Sequence, residues 1–193
     1  MKRLAVYCGS ATPADPLYIE GARALGRTFA ERGIGLVYGG GRTGLMGAIA
    51  DGALEGGGEV IGVIPQALVD AEVAHRGLTE LHVVAGMHAR KAAFADLAEG
   101  FVTIPGGTGT MDELWEALSW AQLGYHADPV GLLNARGYYD ELVAFWAKMG
   151  DVGFLRAQHR DLLIVGDTLD TLLDAMAAHA PTQPIVRMAA SDL

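Results

Sequence analysis

Short apolar runs alternate along the chain with longer segments of helical spacing. LAVYC (4–8), IGLVY (34–38), EVIGVIP (59–65), LHVVA (81–85), FVTIP (101–105), PVGLLN (129–134) and DLLIVG (161–166) are apolar at neighbouring positions. That pattern predicts strands buried on both faces. The segment 15–32 places Leu17, Ile19, Ala22, Leu25 and Phe29 at helical intervals, and Gly33 follows as a stop. Further helices are predicted over 43–55, 87–99, 112–123, 138–149 and 168–179, with a looser stretch at 66–79. Buried strands separated by helices predict an α/β fold, a doubly wound and mostly parallel sheet with helices on both faces. Residues 1–180 read as a single domain and 181–193 as a loose C-terminal tail. Ligands of such sheets bind beyond the carboxyl ends of the strands. The loops after strands are therefore the places to search.

Two of those loops are rich in glycine. YGGGRTGLMG follows the second predicted strand, and Gly39, Gly41 and Gly44 satisfy GxGxxG. A dinucleotide site also needs an acidic residue at the end of the next strand. That strand ends Val63-Ile64-Pro65, and Glu59 sits at its beginning. The loop therefore reads as a tight turn or as a phosphate or ribose contact, with Gly40 and Gly41 as candidates. PGGTGTMDE follows the fifth strand. Gly106, Gly107 and Gly109 let backbone approach a ligand, and Thr108 and Thr110 add hydroxyls. A helix N-terminus just beyond them supplies unpaired N–H groups and a positive dipole end, which suits a phosphate. No Gly-Lys pair occurs, so this is not a Walker A loop. Thr110 and Glu113 also fit a capping box, which would explain Glu113 without catalysis. Arg90 and Lys91, in GMHARK, open a helix after the fourth strand beside both loops. Arginine binds phosphate through a two-bond fork. Ser10, in the loop after the first strand, is a further contact candidate.

Composition sharpens this picture. Glycine accounts for 27 of 193 residues, and about half of it lies in or beside the two loops. The net charge of -9, from 14 basic and 23 acidic side chains, argues against nucleic acid as a partner. No apolar stretch is long enough to span a membrane. The single cysteine, Cys8, allows no intramolecular disulfide and fits a cytoplasmic setting. It reads as a small buried residue. His75, His82 and His88 match no metal-ligand spacing, so no metal is expected. Trp115, Trp120 and Trp146 read as helical core or subunit interface. A pyridoxal decarboxylase needs a Schiff-base lysine with a ring-nitrogen partner, and only Lys91 lies near the presumed site.

YGGGRTGLMG, MHARK and PGGTGTMDE, in this order and spacing, resemble the LOG ("lonely guy") family. These proteins are cytokinin-activating phosphoribohydrolases, often mislabelled lysine decarboxylases. The resemblance runs from YCGS at Tyr7 to WAQLG at Trp120. It implies a Rossmann-like fold, a homodimer, and no metal or redox cofactor. It also implies hydrolysis of a cytokinin riboside 5'-monophosphate to the free N6-substituted adenine and ribose 5-phosphate. The family's binding positions map to Glu72, Arg90, Lys91, the run 107–113 and Ser119, with Arg90 and Glu113 as its catalytic pair. Upstream of the fourth strand, AEVAHRGLTELHVV departs from the plant pattern around Glu72. Two other readings stay open on the residues alone. One is a nucleosidase preferring AMP. The other is a non-catalytic module that senses a nucleotide.

Overall fold

The computed structural model describes residues 1–71 and 73–186. Its strands are β1 (Arg3–Tyr7), β2 (Gly35–Tyr38), β3 (Val60–Pro65), β4 (Glu80–Val84), β5 (Phe101–Thr103), β6 (Val130–Leu133) and β7 (Leu163–Gly166). They form one sheet in the order β4-β3-β2-β1-β5-β6-β7, and every neighbouring pair is parallel. Each strand has an apolar run because helices cover both faces. The chain winds outward from β1 to β4, then returns to place β5 on the other side of β1. The topological switch point therefore lies between β1 and β5, where a crevice opens at the strand ends.

The helices are α1 (Leu17–Glu31), α2 (Gly44–Glu55), α3 (Gln66–Asp70), α4 (Met87–Leu97), α5 (Thr108–Leu123), α6 (Asp140–Asp151) and α7 (Leu169–Ala177). One face of the sheet packs on α1, α2 and α7 through Leu25, Phe29, Ile49 and Leu172. The other face packs on α4, α5 and α6 through Phe94, Leu114, Leu118 and Trp146. All seven predicted strands form, within a residue or two of their expected ends. The stretch 66–79 holds the short helix α3.

One boundary moves far enough to matter. α5 begins at Thr108, not at 112, with Gly107 as its N-cap. Glycine and threonine are weak helix formers, so GTGT reads as loop from propensity. Thr110 is consequently inside the helix, and the cap carries no side-chain hydrogen bond. The capping-box reading of Glu113 falls with that register. The segment 181–193 is described only to Val186. There the Ile185 N–H donates to Gln122 O at 2.8 Å, and Gln158 and His159 side chains meet Gln183 O. Residues 187–193 lie outside the described residues.

Two glycines on facing helices explain how α1 and α2 approach so closely. A Cβ on Gly26 would lie 2.1 Å from Ile49 O, and one on Gly52 would lie 2.0 Å from Arg23 O. Gly21, also in α1, faces open space. Gly52→Ala is thus expected to destabilise by about 1–3 kcal/mol through overpacking. Gly21→Ala should stabilise by about 0.5–1 kcal/mol through lost chain freedom alone. Urea unfolding of both variants checks the pair, and equal effects would refute the packing argument.

Candidate active site

A cleft of about 450 Å³ opens at the switch point. Its walls come from the ends of β1, β2 and β3 and from the starts of α4 and α5. Arg90 and Glu113 lie at its base, with side chains 8% and 9% exposed. The Arg90 Nη1 stands 3.2 Å from Glu113 Oε1. Arg90 Nε donates to Val63 O at 3.1 Å, and the guanidinium lies 5.3 Å from the centre of the Phe94 ring. Arg90 belongs to the first turn of α4, where a cation opposes the helix dipole. The position serves the cleft rather than the helix.

Burial governs the charge on Glu113. It pushes the carboxyl up to about 7, and the Arg90 and Lys91 cations offset this only in part. Burial also raises the Cys8 thiol far above its ordinary range, with Glu113 adding to the shift. A thiol so held is not a nucleophile, and Cys8 is a small wall residue of the cleft.

The two glycine loops play different parts. Leu45 and Met46 N–H groups, in the first turn of α2, both donate to Gly9 O, at 3.0 and 3.3 Å. The chain itself thus fills that helix end. A Cβ on Gly39 would lie 2.0 Å from Arg90 Nη2, so glycine there makes room for the guanidinium. Gly44 holds φ at +59° with its Cα against the Ser10–Ala11 backbone, again a packing demand. The start of α5 is different. Among the described residues, the N–H groups of Thr108, Gly109 and Thr110 meet no acceptor, and Met111 is the first to bond, to Gly107 O at 3.1 Å. Three unfilled amides and a dipole end are the chemistry that suits an anion.

Of the residues expected from sequence, the cleft gathers Ser10, Gly41, Arg90 and Glu113, with the run Gly107, Thr108, Gly109 and Thr110. Gly40 lies buried behind the wall, its φ at +70° and its carbonyl accepting from His75 N–H at 2.8 Å. Gly106 sits just outside, pressed against Thr110. Lys91 turns away, bridging Asp112 at 2.9 Å and Glu116 at 3.2 Å. Ser119 is exposed on the same outer face of α5, seven residues after Asp112. Glu72 lies outside the described residues.

The apolar wall escaped the sequence reading. Met46, Ile64, Leu68, Val73 and Met87 line the cleft from α2, α3, α4, the end of β3 and the loop after α3. Met46 and Met87 lie inside motifs already singled out, YGGGRTGLMG and GMHARK, and that is the signal that could have found them. The tryptophans stay out of the cleft. Trp146 Nε1 donates to Arg160 O at 2.9 Å, and its ring lies 6.0 Å from that of Trp115. His75 meets Asp51 and His82 meets Glu80, in separate places. No helix among the described residues is long and apolar enough to cross a membrane.

The family model described as "Possible lysine decarboxylase" matches residues 46–176. A "Probable cytokinin riboside 5'-monophosphate phosphoribohydrolase LOGL1" of Oryza sativa subsp. japonica is 45% identical over 174 residues, covering 90% of this chain and 78% of that protein. The cytokinin riboside 5'-monophosphate phosphoribohydrolase LOG7 of Arabidopsis thaliana is 43% identical over 180 residues, covering 93% of this chain and 83% of its own. Among solved structures, the molybdenum cofactor binding protein from Rippkaea orientalis superposes with a TM-score of 0.68 at 20% identity, covering 91% and 95% of the two chains. The Moco carrier protein from Chlamydomonas reinhardtii gives 0.68 at 24% identity, with coverage of 91% and 95%. At such identity these two structures establish the fold alone. The enzyme relatives, by contrast, align over nine tenths of this sequence, and the family model spans both the α4 and α5 motifs, so the chain belongs to the LOG family.

Proposed function

We propose that this chain hydrolyses the N-glycosidic bond of cytokinin riboside 5'-monophosphates, releasing the N6-substituted adenine and ribose 5-phosphate. The observation that carries the reading is the buried Arg90–Glu113 pair sharing one cleft with the unfilled amides at the start of α5. The 5'-phosphate sits on the N–H groups of residues 107–110 and on the positive end of α5. Cleavage develops positive charge on the ribose, and the Glu113 carboxylate stabilises it or orients the attacking water. Arg90 stays charged and stabilises the departing base electrostatically rather than by giving up a proton. Ser10 and Gly41 contact the nucleotide from the opposite wall. Lys91 acts at one remove, through Asp112 and the field at Glu113. The homodimer and the cytoplasmic setting implied by the family resemblance are part of this reading. Exposed Val83 and Met87, beside the start of α4, offer apolar surface for such an assembly to cover.

The apolar wall favours an N6-alkylated base over AMP. Met46, Leu68, Val73 and Met87 give an isoprenoid substituent an apolar surface that plain adenine would leave unused. Isopentenyladenosine 5'-monophosphate, AMP and isopentenyladenosine are the test substrates, with released base read by chromatography. Base is expected chiefly from the first. Release from AMP alone would favour the nucleosidase, and none from any would favour the sensing module. The riboside lacking phosphate should fall at least about 100-fold in kcat/KM, since two charge-assisted hydrogen bonds are together worth about 3 kcal/mol or more. Equal rates would remove the phosphate from the α5 amides.

Glu113→Gln should keep the fold and lose about 10²–10³-fold in kcat. Its pH behaviour gives a second, independent check. The active form is the carboxylate, so wild-type kcat/KM should rise with pH through about 7. The folded state holds the Glu113 proton more tightly than the unfolded chain, whose carboxyl titrates near 4.5. That stabilisation is full below the unfolded value and is lost as pH climbs through the folded one. Relative to Glu113→Gln, which has no proton to lose, the wild type should therefore weaken by up to about 3 kcal/mol across that window. Urea unfolding of both proteins at about pH 5 and about pH 8 reads the difference. A constant gap would mean that Glu113 titrates at its ordinary value.

A further inference from the structure

The loop that leads into α5 carries more hydrogen bonds on its carbonyl side than a loop of its length requires. Three consecutive carbonyls are held, two by the hydroxyls of the adjacent Tyr138 and Tyr139 and one by a backbone N–H near the end of β1. Ile104 O accepts from the Tyr139 hydroxyl at 3.0 Å, Pro105 O from Gly9 N–H at 3.1 Å, and Gly106 O from the Tyr138 hydroxyl at 2.8 Å. Across a trans peptide, a carbonyl and the following N–H point in opposite directions. No cis peptide occurs among the described residues. Fixing Gly106 O on Tyr138 therefore turns the Gly107 N–H away from Tyr138. Gly107 is the N-cap of α5, the residue just before the unfilled amides of Thr108, Gly109 and Thr110.

The chain places Tyr138 there at some cost. Between β6 and α6, Arg136 and Gly137 both take left-handed conformations, with φ of 62° and 69°. Arg136 is the only non-glycine residue with positive φ among the described residues. The Asn134 side chain locks this turn. Its Oδ1 accepts from Tyr139 N–H at 2.7 Å, and its Nδ2 donates to Asp140 Oδ1 at 2.8 Å. The Tyr138 ring packs edge-on against Tyr18 at 5.7 Å and Tyr139 at 4.7 Å. Yet Tyr138 is 42% exposed. A phenylalanine would keep those ring contacts, so the hydroxyl is present for Gly106 O rather than for the core. Unlike the Ser10 and Thr110 side chains, it does not line the cleft that holds Arg90 and Glu113.

We propose that Tyr138 is a positioning residue for phosphate recognition, orienting the Gly106–Gly107 peptide so that the Gly107 N–H joins the α5 amides around a sugar 5'-phosphate. The proposal rests on the phosphate placement proposed above. Tyr138 touches the loop and not the ligand. Losing its hydroxyl frees one peptide plane to rotate, and the anion site loses one aligned donor while the apolar wall and the Arg90–Glu113 pair stay as they are.

The test is Tyr138→Phe, with binding of AMP, ribose 5-phosphate and adenosine measured by calorimetry and hydrolysis resolved into KM and kcat. The two phosphorylated ligands should weaken about tenfold, the size expected for one hydrogen bond to a charged group. Adenosine binding should be unchanged, KM should rise with kcat nearly constant, and Tm should hold within about 2 °C. Unchanged affinity for AMP and ribose 5-phosphate, in a wild type that binds both, overturns the role of Tyr138 and leaves the proposed function standing. Parallel losses for adenosine and AMP overturn it too, since they mark a general structural effect. A wild type that binds neither phosphorylated ligand overturns the phosphate site and the brace together.

Discussion

Arg90 and Glu113 are taken out of water as a pair, and much of the local architecture exists to make that tolerable. A buried ion pair recovers its desolvation cost only with good geometry and additional partners. Here the partners are specific. Val63 O takes the Arg90 Nε–H, Phe94 offers its ring face, and Gly39, just after β2, leaves the space of a side chain to the guanidinium. For Glu113 the balance still tips toward the neutral acid, which puts its titration near neutrality. A carboxyl poised there can ionise when a cation-like sugar forms beside it, and costs less to bury when none is present.

The two glycine loops show why a motif has to be read with its surroundings. Both follow a strand and open a helix, at neighbouring places along the sheet edge. At α2 the amides are already spent on Gly9 O, and the glycines answer to Arg90 and to the Ser10–Ala11 backbone. At α5 the amides are free, and the carbonyls behind them are all held. One loop builds the wall of the cleft, and on the proposed reading the other faces a ligand. The chain's net charge of -9 does not conflict with an anionic substrate, because the charge that matters is local.

The sheet was legible because strands buried on both faces leave long apolar runs, and every predicted strand has its counterpart. The placement of Arg90 and Glu113 near one another followed from chain order and the rule of strand ends. Other features were not legible, each for a physical reason. The start of α5 was hidden because glycine and threonine read as loop, although a first helical turn asks little of propensity. Lys91 was expected at the ligand because it adjoins Arg90, but neighbours on a helix diverge by about 100° and it meets Asp112 and Glu116 instead. The apolar wall assembles from residues far apart in sequence, and although Met46 and Met87 lie inside the quoted motifs, Ile64, Leu68 and Val73 carry no local mark. Tyr138 drew no notice for the same reason, since its partner Gly106 lies 32 positions away.

A single helix sets the geometry of the whole site. The amides of Thr108, Gly109 and Thr110 stand at the first turn of α5, and Glu113 follows three residues after the last of them. A helix rises about 1.5 Å per residue, so the backbone of Glu113 lies roughly 5 Å beyond that of Thr110 along one rigid axis. Thr110 and Glu113 share the inward face because their spacing is close to one turn. On the proposed reading, one end of a ribose phosphate meets the amides while the anomeric carbon reaches the carboxylate, with the helix as the ruler between them. Such an arrangement tolerates little freedom at either end. The carboxylate is fixed by burial and Arg90, and the amide end by its helix and by the carbonyls held behind Gly107. On the proposed reading that symmetry gives a physical reason for a strained turn at Arg136 far from the chemistry: it sets the Tyr138 and Tyr139 hydroxyls against the carbonyls behind Gly107.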